Sequence, residues 1–485
     1  MIRVRVFKAL IALVAVALFG VTAAPSQAIV TPSQTINHSK VGMQMFMWNW
    51  KSLATECRTH LGPAGVNWIL VMPPQKSIDG SAWWTHYQPV GYSLESNLGT
   101  EAEFARMVGV CNEAGVDVIA DAVINHMASG SYNFPDVPYT QGNFHKYTTE
   151  NNCTKNIENW SNVTESQNCE LGSLSDLATE QTYVREKIAA YLNDLIDIGV
   201  KGFRIDAAKH IPVADLEAIK ALLTKQDVFI INEVIGGPPE PSNYYTVGAL
   251  FDFDWSSSLN EALGGFNGMP DLDIPNTQYR GMGDPTKTVT MVNNHDTERS
   301  GSSLSYKAGK NYLMAMVYTL SEPFGIPMLY SGYDFADFND SPAVNGNGLN
   351  TCNTGTTIKT TWTNGYMVCP QRWTAIKGMI KWHKYVVGQT KTKMWSDSSS
   401  YGYARGTRGY VMFNSSFKAQ KYTKVATGLP AGTYCDVVSG GTNPVKMSKG
   451  KRTCVGYTVT VAKGGYLVAS VPAMTAIAIA PYSKR

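Results

Sequence analysis

The stretch Gly202-Phe203-Arg204-Ile205-Asp206-Ala207-Ala208-Lys209-His210 closes a short apolar run with an Arg, an Asp and a His. As a strand it would turn Phe203 and Ile205 to one side and Arg204 and Asp206 to the other. An Arg two residues before an Asp on one face can hold that carboxylate ionised and orient it. Two further runs end similarly: Phe229-Ile230-Ile231-Asn232-Glu233-Val234, and Val289-Thr290-Met291-Val292-Asn293-Asn294-His295-Asp296. Three strand-like runs, each delivering an acid at its C-terminal end, predict the active rim of a (β/α)₈ barrel.

Working outward, eight apolar, β-rich runs can be counted: 42–48, 66–72, 116–123, 202–206, 228–233, 249–253, 288–292 and 327–330. Helix-like stretches such as 101–114, 180–198 and 213–223 lie between them, and alternation of this kind implies a parallel sheet closed into a barrel. About eighty residues separate the third and fourth runs, far more than a βα loop needs. That gap predicts a small inserted domain above the active face. Past residue 388 short alternating segments with Gly, Ser and Pro turns predict an antiparallel β-sandwich. The expected fold is therefore an α/β (β/α)₈ TIM barrel with an inserted small domain after strand 3 and a C-terminal antiparallel β-sandwich. Its expected limits are a signal peptide at 1–28, the barrel at 29–125 and 184–387, the insertion at 126–183 and the sandwich at 388–485. The last strand-like run ends close to Arg485, so no additional binding module is expected.

The chain has 485 residues, 44% hydrophobic and 16% charged, with a formal net charge of +3. This balance offers no argument for nucleic acid or an anionic membrane as partner. Neither a P-loop nor an H-E-x-x-H motif occurs. Arg3, Arg5 and Lys8, an apolar core from Ala9 to Val21 and Ser26-Gln27-Ala28 read as a cleavable leader, so the mature chain is expected to be secreted and extracellular. Export makes the 8 cysteines a disulfide framework, whose connectivity the residues alone leave open.

Together with Asp121-Ala122-Val123-Ile124-Asn125-His126, the three acid-bearing runs resemble the signature regions of the α-amylase family of retaining glycoside hydrolases. The wording Asn294-His295-Asp296-Thr297-Glu298-Arg299 is similar to that of secreted bacterial members close to the animal enzymes. The resemblance implies endo-acting hydrolysis of internal α-1,4 bonds in starch, glycogen and maltooligosaccharides, by a monomer, through a covalent glycosyl-enzyme. It makes Asp206 the nucleophile, Glu233 the general acid/base and Asp296 a third acid holding sugar hydroxyls. On this reading Arg204 keeps Asp206 ionised while neighbouring carboxylates keep Glu233 protonated.

His126, His295, Lys209 and His210 resemble sugar ligands, and Trp83, Trp84, Tyr87 and Gln88 the family's aromatic platform, with core packing a competing use for Trp83. One structural Ca²⁺ is implied by Asn125 and Asp176, completed by main-chain oxygens of Gln167 and His210, an all-oxygen set suited to a hard cation. Chloride is not expected. Arg204 and Asn294 match two of its ligands in animal enzymes, but the third, usually basic, position falls on Met328. The glycine-rich loop that follows the third acid in animal enzymes is reduced to Ser300-Gly301-Ser302-Ser303.

Pairing in chain order gives Cys57–Cys111, Cys153–Cys169, Cys352–Cys369 and Cys435–Cys454; the first, second and fourth resemble family bridges, and the third one with a lengthened loop. Two other readings share parts of this pattern. A relative with a shifted product range would keep every acid, whereas a binding protein on an inactive scaffold would have lost one.

Overall fold

The structure is a computed structural model that describes residues 40–130, 132–137, 139–147, 153–264, 272–273 and 283–485. The leader-like segment 1–28 lies outside the described residues. The barrel and its insertion are built from β1 (Gly42–Met45), β2 (Trp68–Val71), β3 (Asp117–Ala122), β4 (His126–Ser129), β5 (Leu174–Asp176), β6 (Gly202–Ile205), β7 (Phe229–Asn232), β8 (Ala249–Asp252), β9 (Thr288–Met291) and β10 (Ile326–Ser331). Eight of these close in the order β1-β10-β9-β8-β7-β6-β3-β2. Each strand-like run of the sequence lands on one of them.

Period-two alternation divides the barrel residues between two cores. Trp68, Leu70, Ile119, Ile231, Phe251, Met291 and Met328 fill the interior, while Ile69, Val71, Phe203, Ile205, Ile230 and Leu329 join the helical layer outside. Gly42 is required by this packing, since a Cβ there would stand 2.1 Å from the Trp68 ring. Helix 101–113 starts at a capping box in which Thr100 and Glu103 satisfy each other's backbone N–H groups. Helix 182–198 stops at Gly199, whose φ of +115° suits only glycine.

Between β3 and β6 the chain forms the antiparallel pair β4–β5, in which His126 stands opposite Asp176. The segment also carries a short helix at 163–166 and the Cys153–Cys169 bridge. The four disulfides pair the cysteines in chain order.

The C-terminal strands are β11 (Lys391–Asp397), β12 (Ser400–Arg405), β13 (Gly409–Asn414), β14 (Gln420–Ala426), β15 (Gly432–Cys435), β16 (Val445–Ser448), β17 (Lys451–Cys454), β18 (Thr458–Ala462), β19 (Tyr466–Val471) and β20 (Thr475–Ile479). They form two four-stranded antiparallel sheets, β11-β12-β13-β20 and β14-β19-β18-β15, and a β16–β17 hairpin. β13 is buried along its whole length. Its Tyr410 and Met412 pack between the sheets, and Val411 and Phe413 belong to the core shared with the barrel. Trp382 Nε1 donates to Ile479 O at 3.1 Å across that contact. No helix among the described residues is long and apolar enough to cross a membrane.

Candidate active site

Asp206 and Glu233 each stand one residue beyond a strand end, after β6 and β7, whereas Asp296 sits in the first turn of helix 295–300 that follows β9. The third run thus delivers its acid from a helix start. Asn294 caps that helix, its side-chain oxygen accepting from the N–H groups of Asp296 (3.1 Å) and Thr297 (2.8 Å). Ala207 adopts a left-handed φ of +49°, a non-glycine conformation that costs about 1–3 kcal/mol. The turn brings its N–H to Glu233 Oε2 at 3.0 Å.

Arg204 organises the acids. Its side chain is 1% exposed, and Nη1 donates to Asp121 Oδ1 and to Asp206 Oδ1, both at 2.7 Å, while Nη2 reaches Glu233 Oε1 at 2.6 Å. The expectation that Arg204 singles out Asp206 for ionisation therefore changes, because the same guanidinium holds both acids.

One cation faces four carboxylates, counting Asp296, so the cluster retains protons. Burial pushes Asp206 well above the ordinary carboxylate range, opposed by Arg204 and reinforced by Glu233 and Asp121. Burial likewise lifts Asp121 to about 6 against the pull of Arg204. Asp296 is pushed up to about 7 by burial and then by Glu233, but its side chain remains 42% exposed, and water reaching it there tempers the shift.

His295 is clamped between the stacked rings of Phe46 (centroids 4.8 Å) and Tyr87 (5.2 Å), with Trp83 edge-on at 5.5 Å. Burial, then Arg204 and Arg299, keep the imidazole neutral. Gln44 Nε2 lies 3.1 Å from Nδ1. With that amide donating, the ring proton sits on Nε2, which stands 3.3 Å from Asp296 Oδ2.

The other platform residues divide by burial. Trp84 is 36% exposed and Trp83 6%, and Trp83 Nε1 donates to Phe338 O at 2.8 Å, so Trp83 serves the packing use as well. His126 is buried, with its ring nitrogens engaged by Asn125 Nδ2 (3.3 Å) and Tyr87 O (3.1 Å). Gln88 Oε1 accepts from Ser129 N at 3.3 Å. Lys209 Nζ donates to the carbonyls of Ile235 (3.0 Å) and Gly236 (2.6 Å), bracing the segment after Glu233.

Of the residues expected at a calcium ion, Asn125 and Asp176 meet directly. Asn125 Nδ2 lies 3.4 Å from Asp176 Oδ1, and His145 Nδ1 lies 2.6 Å from Asp176 Oδ2. Gln167 and His210 belong to neighbouring segments, His210 Nδ1 lying 2.8 Å from Ser166 O. Among the described residues no group of three or more His, Cys, Asp or Glu side chains is arranged for a metal ion. The expected set holds a single carboxylate, Asp176, with amide and main-chain oxygens.

Four residues enter from the structure. Asp121 bonds Arg204 and accepts from Tyr87 OH at 3.0 Å; its signal was there, an acid near the end of the third apolar run. Gln44 and Phe46 gave none, being polar and aromatic residues at the end of β1. Trp160, in the insertion, is 51% exposed and edge-on to His210 at 5.9 Å. Beside Phe46 and Trp83, the Arg299 guanidinium is surrounded by Phe335 (4.4 Å), Phe46 (4.8 Å), Tyr333 (5.1 Å) and Trp83 (5.2 Å).

A closed parallel barrel with an acid cluster at its C-terminal rim and an aromatic shelf beside it defines a carbohydrate-active barrel enzyme class. Residues 68–228 match the α-amylase catalytic domain and residues 395–482 the α-amylase C-terminal all-beta domain. The chain is 38% identical to an α-amylase of Streptomyces violaceus, an alignment covering 97% of this chain and 78% of that one. It is 37% identical to the α-amylase of Tenebrio molitor, over 87% of this chain and 92% of the relative. α-Amylase I of Eisenia fetida, solved as a Glu→Gln variant with maltohexaose, superposes with a TM-score of 0.80 at 28% identity, covering 91% of this chain and 97% of that one. This chain belongs to the α-amylase family.

Proposed function

We propose that the protein hydrolyses internal α-1,4-glucosidic bonds of starch, glycogen and maltooligosaccharides, with retention. The observation that carries this reading is the bridging of Asp206 and Glu233 by the single guanidinium of Arg204. Such bridging favours the close carboxyl spacing of retaining pairs, about 5–5.5 Å, over the wider spacing of inverting ones. Asp206 attacks the anomeric carbon, and Glu233 protonates the leaving oxygen and later activates water. Asp296, with the Nε2–H of His295 beside it, holds ring hydroxyls of the distorted sugar. Burial and mutual repulsion raise the proton affinity of Asp121, Asp206 and Asp296, while Arg204 limits the cost of ionising Asp206.

Asn125 and Asp176, with main-chain oxygens of Gln167 and His210, would hold one Ca²⁺. An all-oxygen set would suit a hard cation once the Asn125 amide turns its oxygen, in place of the NH2 group that now donates to the buried Asp176 carboxylate, toward the ion. The ion would supply charge that ties the insertion to the barrel. Chloride has no place in this reading: Met328 packs in the apolar barrel interior, and Nη1 and Nη2 of Arg204 both bond carboxylates. The leader-like segment and four disulfides suit an exported protein.

The test is timed product analysis on soluble starch. Early release of mixed oligosaccharides with α configuration is expected, and Glu233→Gln should lower turnover by about 10²–10⁴-fold while maltooligosaccharides still bind. A variant keeping more than about a tenth of wild-type activity would defeat the acid/base assignment.

A further inference from the structure

Phe338 is an exposed aromatic on a rigid mount. It is 52% exposed at the tip of the loop that follows β10. Asp340 Oδ2 accepts from the N–H groups of Ala336 and Asp337, both at 2.9 Å, and Asp337 Oδ1 accepts from Asn339 N at 2.9 Å. The platform tryptophans grip the same turn, Trp83 Nε1 on Phe338 O at 2.8 Å and Trp84 Nε1 on Asn339 Oδ1 at 2.9 Å. The Phe338 ring meets Trp83 edge-on at 5.5 Å.

A cavity of about 400 Å³ lies against this ring, and its lining includes Ile235, Phe253, Asp296, Ser300 and Ser302 as well as Phe338. Its size lies within the range of ligand pockets, about 300–1,000 Å³. Ile235 is itself 52% exposed, on the segment braced by Lys209. Helix 295–300, which carries Asp296 and Ser300 on the cavity wall, stops at Gly301, whose φ is +71°. An aliphatic and an aromatic side chain, both held out to solvent around a space walled by one of the reacting-site acids and by hydroxyl groups, match the two surfaces of a glucosyl unit. Its C–H faces are apolar and its edges carry hydroxyls.

We propose that this cavity is a glucosyl-binding subsite in which Phe338 stacks on the sugar face, and that Phe338 is a specificity-determining residue governing product length. This rests on the α-1,4-glucan reading above, because a chain threading past Asp296 is what fills the cavity. The ring is presented by a loop whose anchors are the platform tryptophans.

The experiment compares wild type, Phe338→Ala and Phe338→Tyr on maltoheptaose and soluble starch, with melting temperature as a folding control. Phe338→Ala should raise KM for maltoheptaose about tenfold, the scale of one lost aromatic contact, with kcat within about twofold, and should change the ratio of short to long products. Phe338→Tyr should restore both. An unchanged KM and product ratio in Phe338→Ala, with wild type fully active on starch, overturns the subsite. A loss of kcat at constant KM also overturns it, since that would mean the ring supports the catalytic acids instead. An inactive wild type would instead defeat the functional reading on which the subsite depends.

Discussion

Arg204 Nη2 stands 2.6 Å from Glu233 Oε1, while Nη1 of the same guanidinium holds Asp121 and Asp206 at 2.7 Å. A single buried cation thus couples the two acids assigned to nucleophile and proton donor. Any charge removed from this group changes the proton affinity of the rest, so titration of the site is a property of the cluster.

Asp121→Asn tests that coupling. The substitution removes one negative charge while an amide oxygen remains for Tyr87 and Arg204. With one like charge fewer nearby, Asp206 binds its proton less tightly, so the acid limb of the pH profile of kcat/KM should move to lower pH, by about half to one unit. Rates measured on a short maltooligosaccharide between pH 4 and 9 report this. An acid limb that stays in place would show that Asp121 is electrostatically silent.

Chelation should lower stability and activity together. Asn125 follows β3 of the barrel and Asp176 ends β5 in the insertion, so an ion between them ties both walls of the cleft. A ligand bound only by the folded state stabilises it by mass action. Metal-free protein should melt at lower temperature and recover on adding Ca²⁺, and an unchanged melting curve would sink the calcium set.

Chloride should leave the rate unchanged. Starch hydrolysis after dialysis into chloride-free buffer is compared with chloride and with nitrate at equal ionic strength. Several-fold activation by chloride alone would show that a residue other than Met328 completes an anion site.

Glu298 should make stability fall with rising pH. Burial lifts its carboxyl to about 7, opposed by Arg299. The folded state therefore holds this proton more tightly than the unfolded chain. Its effect is absent below about pH 4 and grows until pH passes about 7, where it reaches about 3 kcal/mol of destabilisation. Glu298→Gln should thus gain denaturation midpoint relative to wild type at pH 8 but not at pH 4.5. A difference that is constant with pH would refute this.

Much of the fold was legible because its signals are local. Val66–Met72 and Gly202–Asp206 are apolar runs that pair wherever parallel neighbours exist, and turn residues separate them. The three acids were legible for the same reason, since each lies within a few residues of a strand end. Phe46, Gln44 and Phe338 carried no such signal. Their meaning comes from partners 83, 295 and 299 in sequence, all brought to them by closure of the barrel.

By itself the sequence determined the repeated strand–helix order, the acid at the end of each key run and the cysteines available for bridging, because these depend on periodicity and neighbouring residues. Only the tertiary structure decided that Arg204 grips Glu233 as firmly as Asp206, that His126 spends its ring nitrogens on Asn125 and Tyr87, and that Phe338 faces the cavity beside Asp296. Distances between residues far apart in the chain arise when eight strands close on one another, and the proton affinities of buried carboxylates follow those distances.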